Sequence, residues 1–202
     1  MKNLLYKLVL FISIIGLFIY ATSPNKKVVF KLLKNKSQVT WNCDHHIGLI
    51  QFESGEMVYE NEEPVSADFT INMKSIVNTD IENKLIKGTL ENTLRSDVFF
   101  DVENNPNAYF KTDEITPLEN GNYNIKGDFI LFDAGICYDF DGTIQLKNDS
   151  LFFKAQNIIL DRTDWAIYYG SRNHPNPLEE ELGIVVSDTI KIGVDITLLK
   201  QK

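Results

Sequence analysis

MKSIVNTDIENKLIKGTLENTLRSDVFFDVENNPNAYF, residues Met73 to Phe110, is the stretch whose reading decides the fold. It opens at the end of a strand. Ala67, Phe69, Ile71 and Met73 alternate with Asp68, Thr70, Asn72 and Lys74, a period of two. The period then changes: Ile86, Leu90 and Leu94 fall at i, i+4 and i+8, one apolar stripe along a helix. Thr79 or Asn78 is in place to cap that helix, with Asp80 and Glu82 in its first turn, where the dipole favours negative charge. Gly88 weakens it by about 1 kcal/mol against alanine. Ser96 can cap a short second turn carrying Phe99 and Phe100, and Asn105-Pro106 leads into a new strand. The stretch therefore predicts helix over Asn78–Leu94 and Ser96–Val102, set into an antiparallel meander as a lid or end-plug.

Strands continue on both sides. Upstream lie Val28–Leu33, Gln38–His45 and an alternation of Ile50, Phe52, Met57 and Tyr59, with a bulge expected at Ser54-Gly55. Glu60 to Pro64 turns the chain. Downstream, Asn120-Gly121 is a hairpin signal between Ala108–Pro117 and Tyr123–Phe132. Asp133-Ala134-Gly135 and Asn148-Asp149-Ser150 frame the next two strands, the second running to Arg162. An Asn- and Pro-rich loop and a short acidic helix over Pro177–Leu182 precede a last strand, Ile184–Leu199, with Ile184, Val186, Ile190, Ile192, Val194, Ile196 and Leu198 on one face. About eight strands with one apolar face each must stack as two sheets or close on themselves, and periodicity alone leaves both open.

Length and charge narrow the class. A chain of 202 residues, 44% apolar, can bury one core in a single all-β domain. Its formal net charge is -8, and -10 without residues 1–21, which hold Lys2 and Lys7 but no acid. Such a surface disfavours nucleic acid, which needs a basic stripe. Lys2, Lys7 and the apolar run Leu8–Ala21 read as a signal peptide or an N-terminal anchor over 1–21, since a full span needs about 20 apolar residues. Residues 22–36 then read as linker and first strand, and 37–200 as the barrel domain. The expected location is periplasmic or secreted, with membrane contact only through an uncleaved N-terminus. Lys26, Lys27, Lys31, Lys34 and Lys36 beyond the run argue the other way, because basic residues there resist export.

One run carries a resemblance. Met73, Ser75 and Ile76, then Leu94, Ser96, Phe99, Phe100, Asp101 and Val102, then Pro106, Ala108 and Phe110 recur in that order in the YceI-like family of bacterial exported, polyisoprenoid-binding proteins. Ser37-Gln38-Val39-Thr40-Trp41 and Asp161-Arg162-Thr163-Asp164-Trp165 match on either side, so the resemblance spans roughly Ser37 to Leu199. It implies a lipocalin-like antiparallel β-barrel with short helical insertions and an elongated tunnel. It also implies a partner, a polyisoprenoid or fatty-acid-like amphiphile lying along that tunnel.

Such a ligand needs apolar walls and a few polar groups at one mouth. Phe52, Phe69, Ile71, Met73, Phe110, Phe129, Leu131 and Phe140 are inward by alternation, and Trp41 and Trp165 fall at strand ends near loops. Each taken singly reads as core; together they form the candidate tunnel wall. Arg162, between Asp161 and Asp164, is either a structural ion pair or a cation meeting an anionic head group.

Other chemistry is poorly served. Adjacent His45 and His46 point to opposite faces of a strand, and His174 stands far along the chain, so a metal site has no convergent ligands. Cys43 shares a face with Val39 and Trp41 whereas Cys137 is out of phase with Ile136, Tyr138 and Phe140, which argues against a disulfide. No nucleophile motif and no phosphate loop are present. The sequence thus predicts no enzyme and no cofactor, and it leaves monomer or homodimer open. Two readings stand: an extracytoplasmic carrier of a long-chain amphiphile, or a solid-cored secreted interaction or stress-related module. A metal-dependent enzyme on His45 and His174 is a weaker third.

Overall fold

The computed structural model describes residues 26–201, so the expectations for the N-terminal segment lie outside the described residues. The alternating runs form nine strands: β1 (Lys27–Leu32), β2 (Gln38–Cys43), β3 (His46–Glu60), β4 (Glu63–Asn78), β5 (Asn107–Pro117), β6 (Asn122–Leu131), β7 (Ala134–Lys147), β8 (Ser150–Asp161) and β9 (Thr189–Lys200). Each pairs antiparallel with a neighbour, and β9 returns to the first two strands to close the ring. The architecture is the antiparallel barrel that the resemblance implied.

Nine strands fill eight positions, because β1 and β2 are two halves of one. Both lie between β3 and β9: Phe30 stands opposite Met57 and Lys200, and Val39 opposite Ile50 and Val194. A single turn of 3₁₀ helix, Lys34–Lys36, interrupts them. Ser37 repairs the gap: its hydroxyl donates to Leu33 O (2.9 Å) and accepts from Thr197 N (3.0 Å) where ladder bonds are missing. The barrel wall therefore begins at Lys27, within the stretch read as linker and first strand, and not at Ser37.

The two ends are built differently. At one, Asn61-Glu62, Glu119–Gly121 and Asn148-Asp149 make short turns, with positive φ at Asn61, Glu62, Asn120, Gly121 and Asn148. At the other, the chain makes two excursions. The first holds α1 (Lys84–Arg95); the second, residues 162–188, holds a 3₁₀ turn at Arg162–Trp165 and α2 (Pro177–Glu181). Between the ends the core alternates as expected. A bulge between Phe52 and Ser54 adjusts β3 against β4, and Gly55 beside it lets the Phe69 ring lie on the backbone, since a Cβ there would stand 2.2 Å from that ring.

Three expectations about the excursions are corrected. The helix starts at Lys84, capped by Asn83, whose Oδ1 accepts from Leu85 N (2.9 Å) and Ile86 N (3.3 Å). Asn78 is instead the fully buried last residue of β4. Its side chain bonds Ile47 O, Asp80 and Ile81 N, holding the chain extended where a cap was expected. Ser96–Val102 is a run of turns rather than a helix: Ser96 ends α1, and its carbonyl accepts from Phe99 N (3.1 Å) and Asp101 N (2.8 Å). The last strand begins at Thr189; Ile184 and Val186 belong to the loop before it, where Val186 N bonds Gly170 O (2.9 Å).

Candidate functional site

Strand alternation sends one apolar face of every strand inward, and the lumen it lines is not uniform. Toward the short-turn end it is filled: Phe30, Met57, Tyr59, Ile125, Leu151 and Leu198 are all buried, and Phe30 meets Tyr59 edge-on at 5.3 Å. Above them Phe52, Phe69 and Phe153 form an aromatic floor, with Phe69 5.7 Å from Phe52 and 6.4 Å from Phe153. From this floor to the helical end the lumen is open, a cavity of about 790 Å³ with almost wholly apolar walls. That volume lies in the range of small-molecule sites.

All ten residues read from the sequence as tunnel wall line this cavity. Phe110, Phe129 and Phe140 form one aromatic patch, with centroids 4.8–6.0 Å apart. Ile71, Phe129, Leu131 and Phe140 are half-buried and present surface to the lumen. Alternation also placed Ile190, Ile192, Val194 and Ile196 inward, and they complete the wall on β9. The α1 stripe roofs it: Ile86, Leu90 and Leu94 all face in, graded from exposed Ile86 to buried Leu94. Sequence reasoning missed the loop's share, Ile167, Tyr169 and Val185, because an irregular segment carries no period to read. Exposed Ile86 and Val185 mark where the cavity meets the outside.

The mouth is held by a polar network centred on Arg162, which is 1% exposed. Its Nε donates to Ser187 O (2.8 Å), one terminal nitrogen to Ile167 O, and the other to Val186 O (3.0 Å) and Asp188 Oδ1 (3.2 Å). The guanidinium also lies over the Phe99 ring, 5.4 Å from its centroid. Burial lowers its pKa and the Asp188 carboxylate works against that. Its ionic partner is thus Asp188 on the returning loop, not the flanking acids. Asp161 Oδ1 caps the 3₁₀ turn through Thr163 N (2.9 Å), and Asp164 accepts from Tyr138 OH (2.6 Å). Burial and that carboxylate push the Tyr138 phenol up to about 12. Arg162 lines the cavity, yet four of its N–H groups are directed at the chain's own acceptors.

Cys43 sits at the mouth, its thiol pushed up to about 11 by burial and then by the Asp44 charge, while Cys137 is exposed on the outside; both are free. His45 and His46 reach the rim, but His174 stacks on Tyr168 with centroids 4.0 Å apart. No group of three or more His, Cys, Asp or Glu among the described residues could hold a metal ion.

Known proteins give the context. The YceI-like domain matches residues 30–198. The crystal structure of BcnA from Burkholderia cenocepacia superposes with a TM-score of 0.64 at 18% identity, covering 82% of this chain and 98% of that one. A polyisoprenoid binding domain from Saccharophagus degradans, implicated in plant cell wall breakdown, gives 0.60 at 14%, covering 85% and 98%. The YceI protein of Campylobacter jejuni gives 0.51 at 18%, covering 80% and 84%. No curated protein matches. Identities this low carry the fold alone, but the domain match runs through nearly the whole ring, from Phe30 in β1 to Leu198 in β9, and on it the protein belongs to the YceI-like family.

Proposed function

We propose that this protein binds a long-chain amphiphile, a polyisoprenoid or fatty-acid-like lipid, and carries or sequesters it outside the cytoplasm. The observation that carries the reading is the open half-lumen: about 790 Å³ of apolar cavity, floored by Phe52, Phe69 and Phe153. A space of that size would be filled by side chains if packing were its only purpose, because interiors are close-packed and voids are costly. The polyisoprenoid-binding relative supports the ligand class. Export rests on the apolar run Leu8–Ala21, and Ile14→Arg in its middle is expected to keep the protein in the cytoplasm. On this reading the protein is a binder and not an enzyme.

Solvent extraction of the purified protein with mass spectrometry of the extract tests the ligand directly. Ile71→Trp tests the place. Ile71 is half-buried against the cavity between Phe69 and Met73, so the larger ring occupies ligand space. Lost lipid with a nearly unchanged melting temperature is the expected result. A large drop in melting temperature, with no lipid in the parent protein either, would show a collapsed core and sink the carrier reading.

A further inference from the structure

The cavity is short for its volume, because the floor stops it partway down the barrel. On β3 it runs from His46 at the rim to Phe52, and on β9 from Ile190 to Ile196, six residues along the strand in each case. At about 3.3 Å per residue that is about 20 Å of strand, and the usual barrel tilt of about 40° leaves about 15 Å of depth. Below the floor the lumen is closed. The next inward residues, Leu151 below Phe153 and Leu198 below Ile196, have no exposed surface, and Ala67 below Phe69 has 5%.

The floor is a plug that spans the lumen. Phe69 on β4 and Phe153 on β8 stand on opposite sides of the ring of strands, yet their side chains stack across it, 6.4 Å apart with 25° between planes. Glycine seats both rings. Gly55 lies beneath Phe69, as the register of β3 and β4 requires, and a Cβ at Gly142 would stand 2.8 Å from Cε2 of Phe153. Each ring is thus held against wall backbone on one side and against the other ring on the next.

Depth and volume then point to different things. About 790 Å³ over about 15 Å is a mean cross-section of about 50 Å². A hydrocarbon chain, about 4 Å wide at van der Waals contact, needs less than half of that. Extended, it advances about 1.3 Å per carbon for single bonds of about 1.5 Å, so about twelve carbons reach from rim to floor. The lumen has room for a second length beside the first and none for a longer one. We infer that the phenylalanine floor turns the ligand: the bound chain runs down one side, bends over Phe69 and Phe153, and returns toward the mouth. The inference rests on the amphiphile reading and narrows it to chains with a built-in bend, those carrying a cis double bond over straight chains of the same length.

Oleate and elaidate make the probe pair for the delipidated full chain, because they share every atom and the head group and differ only in a cis or trans double bond. Each is titrated, below its aggregation limit, against a fluorescent fatty-acid reporter. A chain that does not turn leaves methylenes in water, at about fourfold in affinity for each, so oleate is expected to bind about 4–20-fold more tightly. Phe153→Ala opens the floor, and the ratio should fall toward one as elaidate gains the depth it lacked. A parent ratio below about threefold, less than one methylene, or a ratio favouring elaidate, would mean that surplus chain lies outside the mouth. The inference then falls while the cavity reading survives. An oleate preference kept in full by folded F153A would take the bend away from the floor and overturn the inference as well. If neither probe displaces the reporter, or no reporter binds, both fall together. The parent ratio decides whether the chain turns even if F153A folds poorly.

Discussion

The barrel has a packed end and an open end, and the two are held together by different physics. At the packed end the turns are short, the rings and aliphatics interlock, and Leu151 and Leu198 have no exposed surface at all. At the open end the lumen is hollow, and the missing packing is replaced by polar contacts: Arg162 to three carbonyls and Asp188, Asn78 and Asp80 to the β3 edge, Asn83 to the start of α1. Packing is non-directional and fills space, so it suits an end that need only be stable. Hydrogen bonds fix a shape without filling it, which is what a wall around a cavity requires.

The largest expected effect tests that division. Arg162→Ala leaves Ser187 O, Val186 O and Ile167 O without their donor and Asp188 without its ion partner, though Asn173 still bonds Asp188 at 2.7 Å. Removing one partner of a buried pair costs about 3–5 kcal/mol, and urea titration should show a loss of that order. An unchanged midpoint would mean that the open end does not depend on this network. Next comes a matched pair of truncations. Leu151→Ala removes a side chain with no exposed surface, opposite Leu146 and Leu198, and should lose about 2–5 kcal/mol. Ile190→Ala removes one that already faces a cavity, so no new void forms and the loss should be about 1 kcal/mol or less. Equal losses would erase the distinction between the ends.

The sequence made the packed end and the cavity wall legible for one reason: β alternation states which face of each residue is inside. Phe69, Ile71 and Met73 are readable as wall from Asp68, Thr70 and Asn72 alone. Alternation does not say whether the inside is filled, so Leu198 and Ile192 look alike in sequence and end up in different halves. The irregular mouth was the hardest part. Asn78 and Thr79 have the chemistry of a cap, but β4 runs on to Asn78 because that side chain closes the strand on Ile47 and Asp80. The true cap, Asn83, is five residues further on. Arg162 looked like the partner of its neighbours in sequence; Asp188 reaches it only because the loop returns, a long-range fact with no local signal. Ile184 and Val186 kept the period of β9 without being paired in it.

A smaller effect concerns the roof. Asn83→Ala removes the bonds to Leu85 N and Ile86 N and should destabilise α1 by about 1 kcal/mol. Because Ile86 and Leu90 cover the cavity, the change should appear as faster amide exchange through α1 and faster release of a bound lipid, with the urea midpoint of the packed end nearly unmoved. Loss of stability spread evenly over the barrel would show that roof and wall unfold as one unit.

The smallest effect is a pH window at the root of the roof. Asp80 Oδ2 lies 3.0 Å from His46 Nδ1, and its Oδ1 accepts from Ile47 N (2.8 Å) and Asn78 Nδ2 (2.6 Å). The His46 contact first, and the Ile47 amide next, hold the carboxyl at about 2. An unfolded aspartate titrates near 4, so the folded state favours the ionised form. The contribution is therefore fully present above about pH 4 and is lost as the pH falls toward about 2. In that window the turn between β4 and α1 should loosen before the packed end does, read as acid-enhanced amide exchange at Ile47 and Ile81. Asp80→Asn keeps an acceptor for Ile47 N but has no charge to lose, so the difference between parent and variant should shrink steadily from pH 4 to pH 2. The Glu53 carboxyl, held below its ordinary range first by the hydrogen bond from Lys34, will add to the acid response of both proteins. Only the parent-minus-variant difference isolates Asp80. A difference that stays constant through the window would mean that this carboxylate does not fasten the roof, and that Arg162, Asn78 and Asn83 hold the open end without it.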